Sequence, residues 1–237
     1  MKHRFIDVFD VLLLDMGLTF MFNSDRFSDS EDYGATYRRV GGDLLNGEEV
    51  RRIISTLFDR MMSDYENPAL YDYYPSVLSH LQTIPETRQL PEKEIKLLER
   101  VFEMHEVGDI PATHAEALYQ LRETHRLGVV SNIWSTSEIH LQEFERAGIR
   151  HLFDVIIFSS DHGCIKPSRY LFDRAMEAFE VDRSRMVFVG DSLDRDIAGA
   201  KSVGLSAIWI DAEASEVRKR TPRPDLVIQD LWDLLEI

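Results

Sequence analysis

Cysteine is nearly absent: Cys164 is the one cysteine in 237 residues. No internal disulfide can form within the chain, and a reducing, cytoplasmic location is expected. Cys164 itself reads as a small packing residue. Long hydrophobic runs are missing too. The longest are strand-sized, far short of the ~20 apolar residues that cross a bilayer, so no membrane association is expected. The N-terminal Met1-Lys2-His3-Arg4-Phe5 has no extended apolar core of the kind a secretory leader carries. Positive charge is also scarce: 27 Lys and Arg stand against 42 Asp and Glu, a formal charge of −15, with no lysine-rich stripe to offset it. Such a surface repels nucleic acid and anionic lipid, so neither is expected as a partner. Any phosphorylated ligand must be held by a local site. What the chain does have is 44% hydrophobic and 29% charged residues, an ordinary globular composition, with length for a large core plus an insertion.

The organising stretch is Phe9-Asp10-Val11-Leu12-Leu13-Leu14-Asp15-Met16-Gly17-Leu18-Thr19. A short apolar run that meets a carboxylate and then a glycine predicts a strand buried on both faces, as in parallel α/β sheets. Ligands of such sheets bind beyond the carboxyl ends of the strands, where Asp15 would stand. Residues 20–35 read as an irregular connection or a short helix start. Gly47–Tyr65, Pro75–Thr83 and Pro91–His105 then carry apolar residues at helical spacing. The Met and Phe stripe of the first reads as core, and no strand is expected between Phe22 and Gly108. From Gly108 onward strands and helices alternate. Strands are predicted at Leu127–Ser131, Val155–Ser159, Met186–Val189, Ala207–Ile210 and Leu226–Ile228. Thr113-x-x-Glu116 and Ser135-x-x-Glu138 read as capping boxes opening two of the intervening helices, and Pro167–Glu180 reads as a third. This alternation predicts an α/β fold, a doubly wound, Rossmann-like parallel sheet with an inserted helical block.

Four polar clusters fall at strand ends: Asp15, Ser131-Asn132, Lys166-Pro167, and Asp191 with Asp196. In a doubly wound sheet these ends open onto one crevice. Two carboxylates with an open position suit Mg²⁺. A lysine and a serine beside them suit phosphoryl oxygens, and a carboxylate aimed at phosphorus can attack it. Each cluster also has an ordinary reading as turn, surface charge or helix cap.

In this order and spacing the residues resemble the haloacid dehalogenase (HAD) superfamily of hydrolases. The strand ending in Asp15, with Thr19 behind it, is similar to the first family motif. Gly128-Val129-Val130-Ser131-Asn132 is similar to the second and Gly163-Cys164-Ile165-Lys166-Pro167 to the third. The fourth, Val189-Gly190-Asp191-Ser192-Leu193-Asp194-Arg195-Asp196-Ile197-Ala198-Gly199-Ala200, is the most specific. The resemblance implies a catalytic core of residues 1–19 and 109–237, with residues 20–108 as a type-one helical cap that selects the substrate. It implies Asp15 as nucleophile and Mg²⁺ held by Asp15, the backbone carbonyl of Gly17, and Asp191, with Asp196 holding a metal-bound water or supporting Asp191. Ser131, Asn132, Lys166 and Thr19 would contact the phosphoryl group of a small phosphorylated substrate, in a monomer or homodimer.

One position departs from the pattern. Phosphatases of the family carry a second Asp two residues after the nucleophile, where this chain has Gly17. Losing a general acid–base group costs ~10²–10⁴-fold in rate. The expected activity is therefore a Mg²⁺-dependent phosphatase whose proton comes from a cap residue or water, or which favours activated leaving groups. Two alternatives stand beside it: a metal-independent 2-haloacid dehalogenase, with Arg38 or Arg39 available for a carboxylate, and a non-catalytic phosphate or protein binder. The phosphonatase branch uses a cap lysine, and lysine is absent between Met16 and Glu92.

Overall fold

The computed structural model describes residues 4–212 and 222–236; Met1–His3 of the N-terminal segment lie outside the described residues. β1 (Val11–Leu14) is the middle of the sheet because nothing in it tolerates water. All four side chains are fully buried, Leu12 and Leu14 in the apolar cluster on one face, Val11 and Leu13 in that on the other. It pairs in parallel with β2 (Arg126–Ser131) on one side and β4 (Met186–Gly190) on the other. With β3 (Phe153–Phe158), β5 (Ser206–Ile210) and β6 (Leu226–Ile228), the order is β3-β2-β1-β4-β5-β6, parallel throughout. The chain winds outward through β2 and β3, then crosses to the other side for β4 to β6. The carboxyl end of β1 thus opens at the point where winding direction reverses, the natural place for a ligand crevice.

Helices α1 (Tyr33–Arg39), α2 (Gly47–Tyr65), α3 (Val77–Thr83) and α4 (Glu92–Glu106) form the insertion between β1 and the rest of the sheet. They bury their own apolar cluster, which includes Tyr37, Ile54, Leu57, Leu81, Leu98 and Phe102. Asn46 caps α2 in a reciprocal box with Glu49. The chain enters and leaves this insertion along one paired hinge. Phe22 and Asp109 exchange both backbone hydrogen bonds, at 2.9 and 2.8 Å, and the amides of Asp25 and Arg26 donate to the carbonyls of Glu106 and His105. Gly108 is required here, since a Cβ would stand 2.2 Å from the Phe22 carbonyl oxygen. The Arg26 guanidinium closes the hinge on the carbonyls of Asn23, Met104 and Val107.

Beyond the hinge come α5 (Ala112–Arg122), α6 (Ser137–Arg146), α7 (Arg169–Glu177) and α8 (Ala198–Ser202). The two expected capping boxes do not form. Pro111 starts α5, which puts Thr113 inside its first turn. At α6 the cap position is Thr136, and the Ser135 amide donates to Glu106, a residue of the insertion. At α6, long-range partners on α4 have taken the groups a local cap would use. Between Asp191 and Gly204 the backbone makes a π-helical turn at Leu193–Ile197 before α8. Cys164 is buried in the apolar cluster against α7. Among the described residues no helix is long and apolar enough to cross a membrane.

Candidate active site

Asp15 is the first residue beyond β1, with its amide donating to the Val189 carbonyl of the neighbouring strand at 2.8 Å. Its carboxylate is nearly buried and accepts from Lys166 Nζ at 2.6 Å. The same ammonium lies 2.6 Å from Asp196 Oδ1 and over the ring of Phe188. Asp196 reaches in from the π-helical turn and takes the Ser192 amide at 3.0 Å. Its carboxylate passes so close to Gly190 that a Cβ there would stand 2.4 Å from Oδ2, which is why the strand must end in glycine. Asp191 comes next, its carbonyl accepting the Trp209 indole Nε1 at 2.8 Å. One oxygen from each of Asp15, Asp191 and Asp196 lies within 4.8 Å of the others.

Three carboxylates around a single ammonium leave an excess of negative charge in a poorly hydrated place. Burial, followed by the Asp15 and Asp196 charges, pushes the Asp191 carboxyl up, and burial likewise raises Asp196 despite Lys166 beside it. Burial works against the Lys166 charge, yet the Asp15 and Asp196 carboxylates hold its pKa above the usual lysine value. Oxygen donors crowded at bridging distance with uncompensated charge are the donor set of a hard divalent cation, so these residues fit Mg²⁺.

Ser131, the last residue of β2, and Asn132 line the same cavity of about 310 Å³, together with Asp15, Gly17, Lys166, Asp191 and Asp196. Asn132 Oδ1 accepts the Lys166 amide at 2.7 Å, while Nδ2 donates to the Tyr65 hydroxyl at 3.1 Å. Its side chain thereby fixes the lysine loop. Thr19 is buried but is not among the lining residues. Arg38 and Arg39 are exposed on α1 and do not line the cavity either.

Several lining residues escaped the sequence reading: Asp25, Tyr65, Glu106, His140 and Arg195. Arg195, inside the fourth motif, lies between the rings of Tyr65 and Tyr71, 4.3 Å from each centroid, and donates to the carbonyls of Lys166 and Tyr65. Around it, Ile165 donates to the Tyr71 carbonyl, Tyr74 to the Gly163 carbonyl and Ser168 Oγ to Asp72. These contacts tie the insertion to the lysine loop. Glu106 ends α4 fully buried and accepts the amides of Trp134 and Ser135 at 2.6 and 2.8 Å. Its carboxyl is pushed up by burial. Glu106 was legible in principle, since it continues the apolar stripe Ile95, Leu98, Phe102 at i+4 and so must face inward. No local pattern marks Asp25, which lies in an irregular linker.

A six-stranded parallel sheet with a lysine and three carboxylates at its switch point defines an α/β fold with a polar, hydrolase-like crevice. The HAD-hydrolase-like family model matches residues 163–234. The chain is 35% identical over 100 residues to the pyrimidine 5'-nucleotidase YjjG of Escherichia coli, covering 42% of this chain and 44% of that protein. It is 27% identical over 205 residues to the glyceraldehyde 3-phosphate phosphatase of Methanothermobacter thermautotrophicus, covering 81% and 83%. The alignment therefore spans less than half the length of the first relative and most of the second. A 2-haloacid dehalogenase structure from Pseudomonas syringae superposes with a TM-score of 0.62 at 21% identity, over 96% of this chain and 97% of that one. The family-model match and these likenesses support a hydrolase of the haloacid dehalogenase superfamily. The shared fold does not separate phosphatase from dehalogenase; the residues in the crevice must do that.

Proposed function

We propose that this chain is a Mg²⁺-dependent phosphatase acting on a small phosphorylated metabolite through an aspartyl-phosphate on Asp15. The core would comprise residues 1–19 and 109–237, and residues 20–108 would be the cap. The observation that carries the reading is the convergence of Asp15, Asp191 and Asp196 within 4.8 Å, with Lys166 bonded to two of them. A dehalogenase acting on carbon has no use for three clustered carboxylates, and Arg38 and Arg39, the arginines considered for a 2-haloacid carboxylate, stand away from the cavity.

Asp15, Asp191 and the Gly17 carbonyl would hold the cation, with Asp196 in support. When bound, the ion would neutralise phosphoryl charge and allow the anionic substrate to approach an anionic nucleophile. The remaining work belongs to the chain. Asp15 is fixed by its strand and aimed into the cavity, so attack needs little reorganisation. Lys166 and Ser131 would hold the phosphoryl oxygens, and Asn132 keeps the lysine loop in register through its two side-chain bonds to the Lys166 backbone. Glyceraldehyde 3-phosphate phosphatase and a nucleotidase among the relatives support small monoesters as the substrate class.

The test is phosphate release from a panel of metabolite monoesters with and without Mg²⁺. Release should require the metal, and Asp15→Asn should lower it by about 10⁴-fold or more, the scale of removing a nucleophile. Halide release from a 2-haloacid without metal would select the dehalogenase reading. Metal binding with neither activity would select a binding protein.

A further inference from the structure

Position 17 is glycine, so the proton that the leaving oxygen needs must come from elsewhere. A second cavity of about 220 Å³ opens beside the first, lined by Phe58, Met62 and Trp134. Four residues line both cavities: Asp25, Tyr65, Glu106 and Asn132. If the phosphoryl group sits with Asp15 and Lys166, the organic remainder extends into the apolar cavity, and the bridging oxygen falls at this seam.

Three of the four seam residues are committed. Asn132 spends its amide on Tyr65 and the lysine loop. The Tyr65 hydroxyl accepts from Asn132 Nδ2, and burial pushes its pKa up. Glu106 holds two backbone amides. Among the described residues, the Asp25 carboxyl has only a 3.3 Å contact from Ser24 Oγ. We propose that Asp25 is the proton donor and acceptor of the reaction, doing what position 17 cannot; this rests on the phosphatase reading above.

The hinge fixes where this side chain stands. Asp25 adopts a left-handed backbone, φ +54°, which Asp tolerates better than most residues, and its amide is anchored to the Glu106 carbonyl. The residue as a whole is exposed at the hinge, while its side chain forms part of the wall of both cavities. Poor hydration of the carboxyl, then the Glu106 charge, push its pKa up to about 7, against the opposing pull of Ser24 and the Arg26 guanidinium. Arg26 directs its own hydrogen bonds to the hinge carbonyls. A value near neutrality suits a group that must give a proton and then take one.

The steps balance. As Asp15 attacks phosphorus and the bridging P–O bond breaks, the neutral Asp25 carboxyl gives its proton to the leaving oxygen and becomes a carboxylate. A water then attacks the aspartyl-phosphate, Asp25 takes a proton from it, phosphate leaves, and Asp15 and Asp25 return to their starting forms.

The experiment compares Asp25→Asn with wild type on an alkyl phosphate and on 4-nitrophenyl phosphate, across pH and in Mg²⁺. On the alkyl ester kcat should fall about 10²–10⁴-fold. On the nitrophenyl ester a burst of nitrophenol should appear, because its leaving group needs no proton while the intermediate still waits for a base. The wild-type kcat/KM should decline above about pH 7, and this limb should vanish in the variant. Gly17→Asp placed on Asp25→Asn should restore at least tenfold, since a Cβ at 17 meets nothing within 4 Å. An Asp25→Asn enzyme within threefold of wild type, or a loss with an unchanged pH limb and no rescue, overturns the proposal and leaves the phosphatase standing. A wild-type enzyme that releases no phosphate from any ester overturns both.

Discussion

The cavity has two groups of carboxylates with opposite electrostatic settings. At the sheet edge Asp15, Asp191 and Asp196 surround Lys166, and their crowding is relieved only by added positive charge. At the hinge Asp25 and Glu106 have no lysine, and the nearby Arg26 bonds to backbone carbonyls instead. Burial raises carboxyl pKa values in both places, but the consequence differs. The first group fits a cation; in the second, the proposed proton site is Asp25, beside the amide-bonded Glu106. The lesson is that burial alone does not assign a carboxylate its role, because the charge of its neighbours decides between metal and proton.

The largest effect should come from breaking the sheet-edge group at its centre. Lys166→Met leaves Asp15 and Asp196 without their buried partner, and removing one side of such a pair costs about 3–5 kcal/mol. Urea unfolding without metal should show that loss, and Mg²⁺ should recover part of it by supplying the missing charge. An unfolding midpoint equal to wild type would mean that the ion pairs carry no stability.

A smaller effect separates the proton-binding groups. His140, a further lining residue, is held neutral, its pKa lowered by burial from 6.5 to about 4. The unfolded chain takes up that proton first, so stability is complete above pH 6.5 and is lost as pH falls through about 4, by up to about 3 kcal/mol. Asp25 runs the other way. Its folded pKa of about 7 exceeds the ordinary 3.8, so it adds stability as pH falls from above 7 towards 3.8. Denaturant midpoints between pH 8 and 4 should therefore fall less steeply in His140→Gln than in wild type. Identical slopes would show that His140 is not neutral in the fold.

The mildest change sharpens the boundary between the two groups. Arg195→Met removes both tyrosine contacts, each worth about 0.5–2 kcal/mol. It should raise KM severalfold while leaving kcat on 4-nitrophenyl phosphate within about threefold. A loss confined to kcat would place Arg195 in the chemistry instead of in the joint between insertion and core.

The same contrast explains which groups the amino-acid pattern reveals. Two members of the sheet-edge group were legible because each follows an apolar strand: Val11–Leu14 delivers Asp15, and Met186–Gly190 delivers Asp191. Strand periodicity and topology then bring them together. The hinge group was hidden because its members come from irregular backbone and from the last turn of a helix, and only the pairing of residues 22–26 with 105–109 brings them together. The failed capping box at α6 has the same origin. Ser135 matched a local pattern, but its amide belongs to Glu106, 29 residues away. Arg195 was seen only as part of a motif, since nothing near it announces Tyr65 and Tyr71.

The hydrogen bond from the Trp209 indole to the Asp191 carbonyl gives the molecule a built-in optical gauge. Any ion that draws on Asp191 must polarise that peptide, and the indole emission should shift in step. Titrating Mg²⁺ while watching ultraviolet fluorescence, with Trp209→Phe as the control for emission from Trp134 and Trp232, would then report occupancy without a label and without turnover.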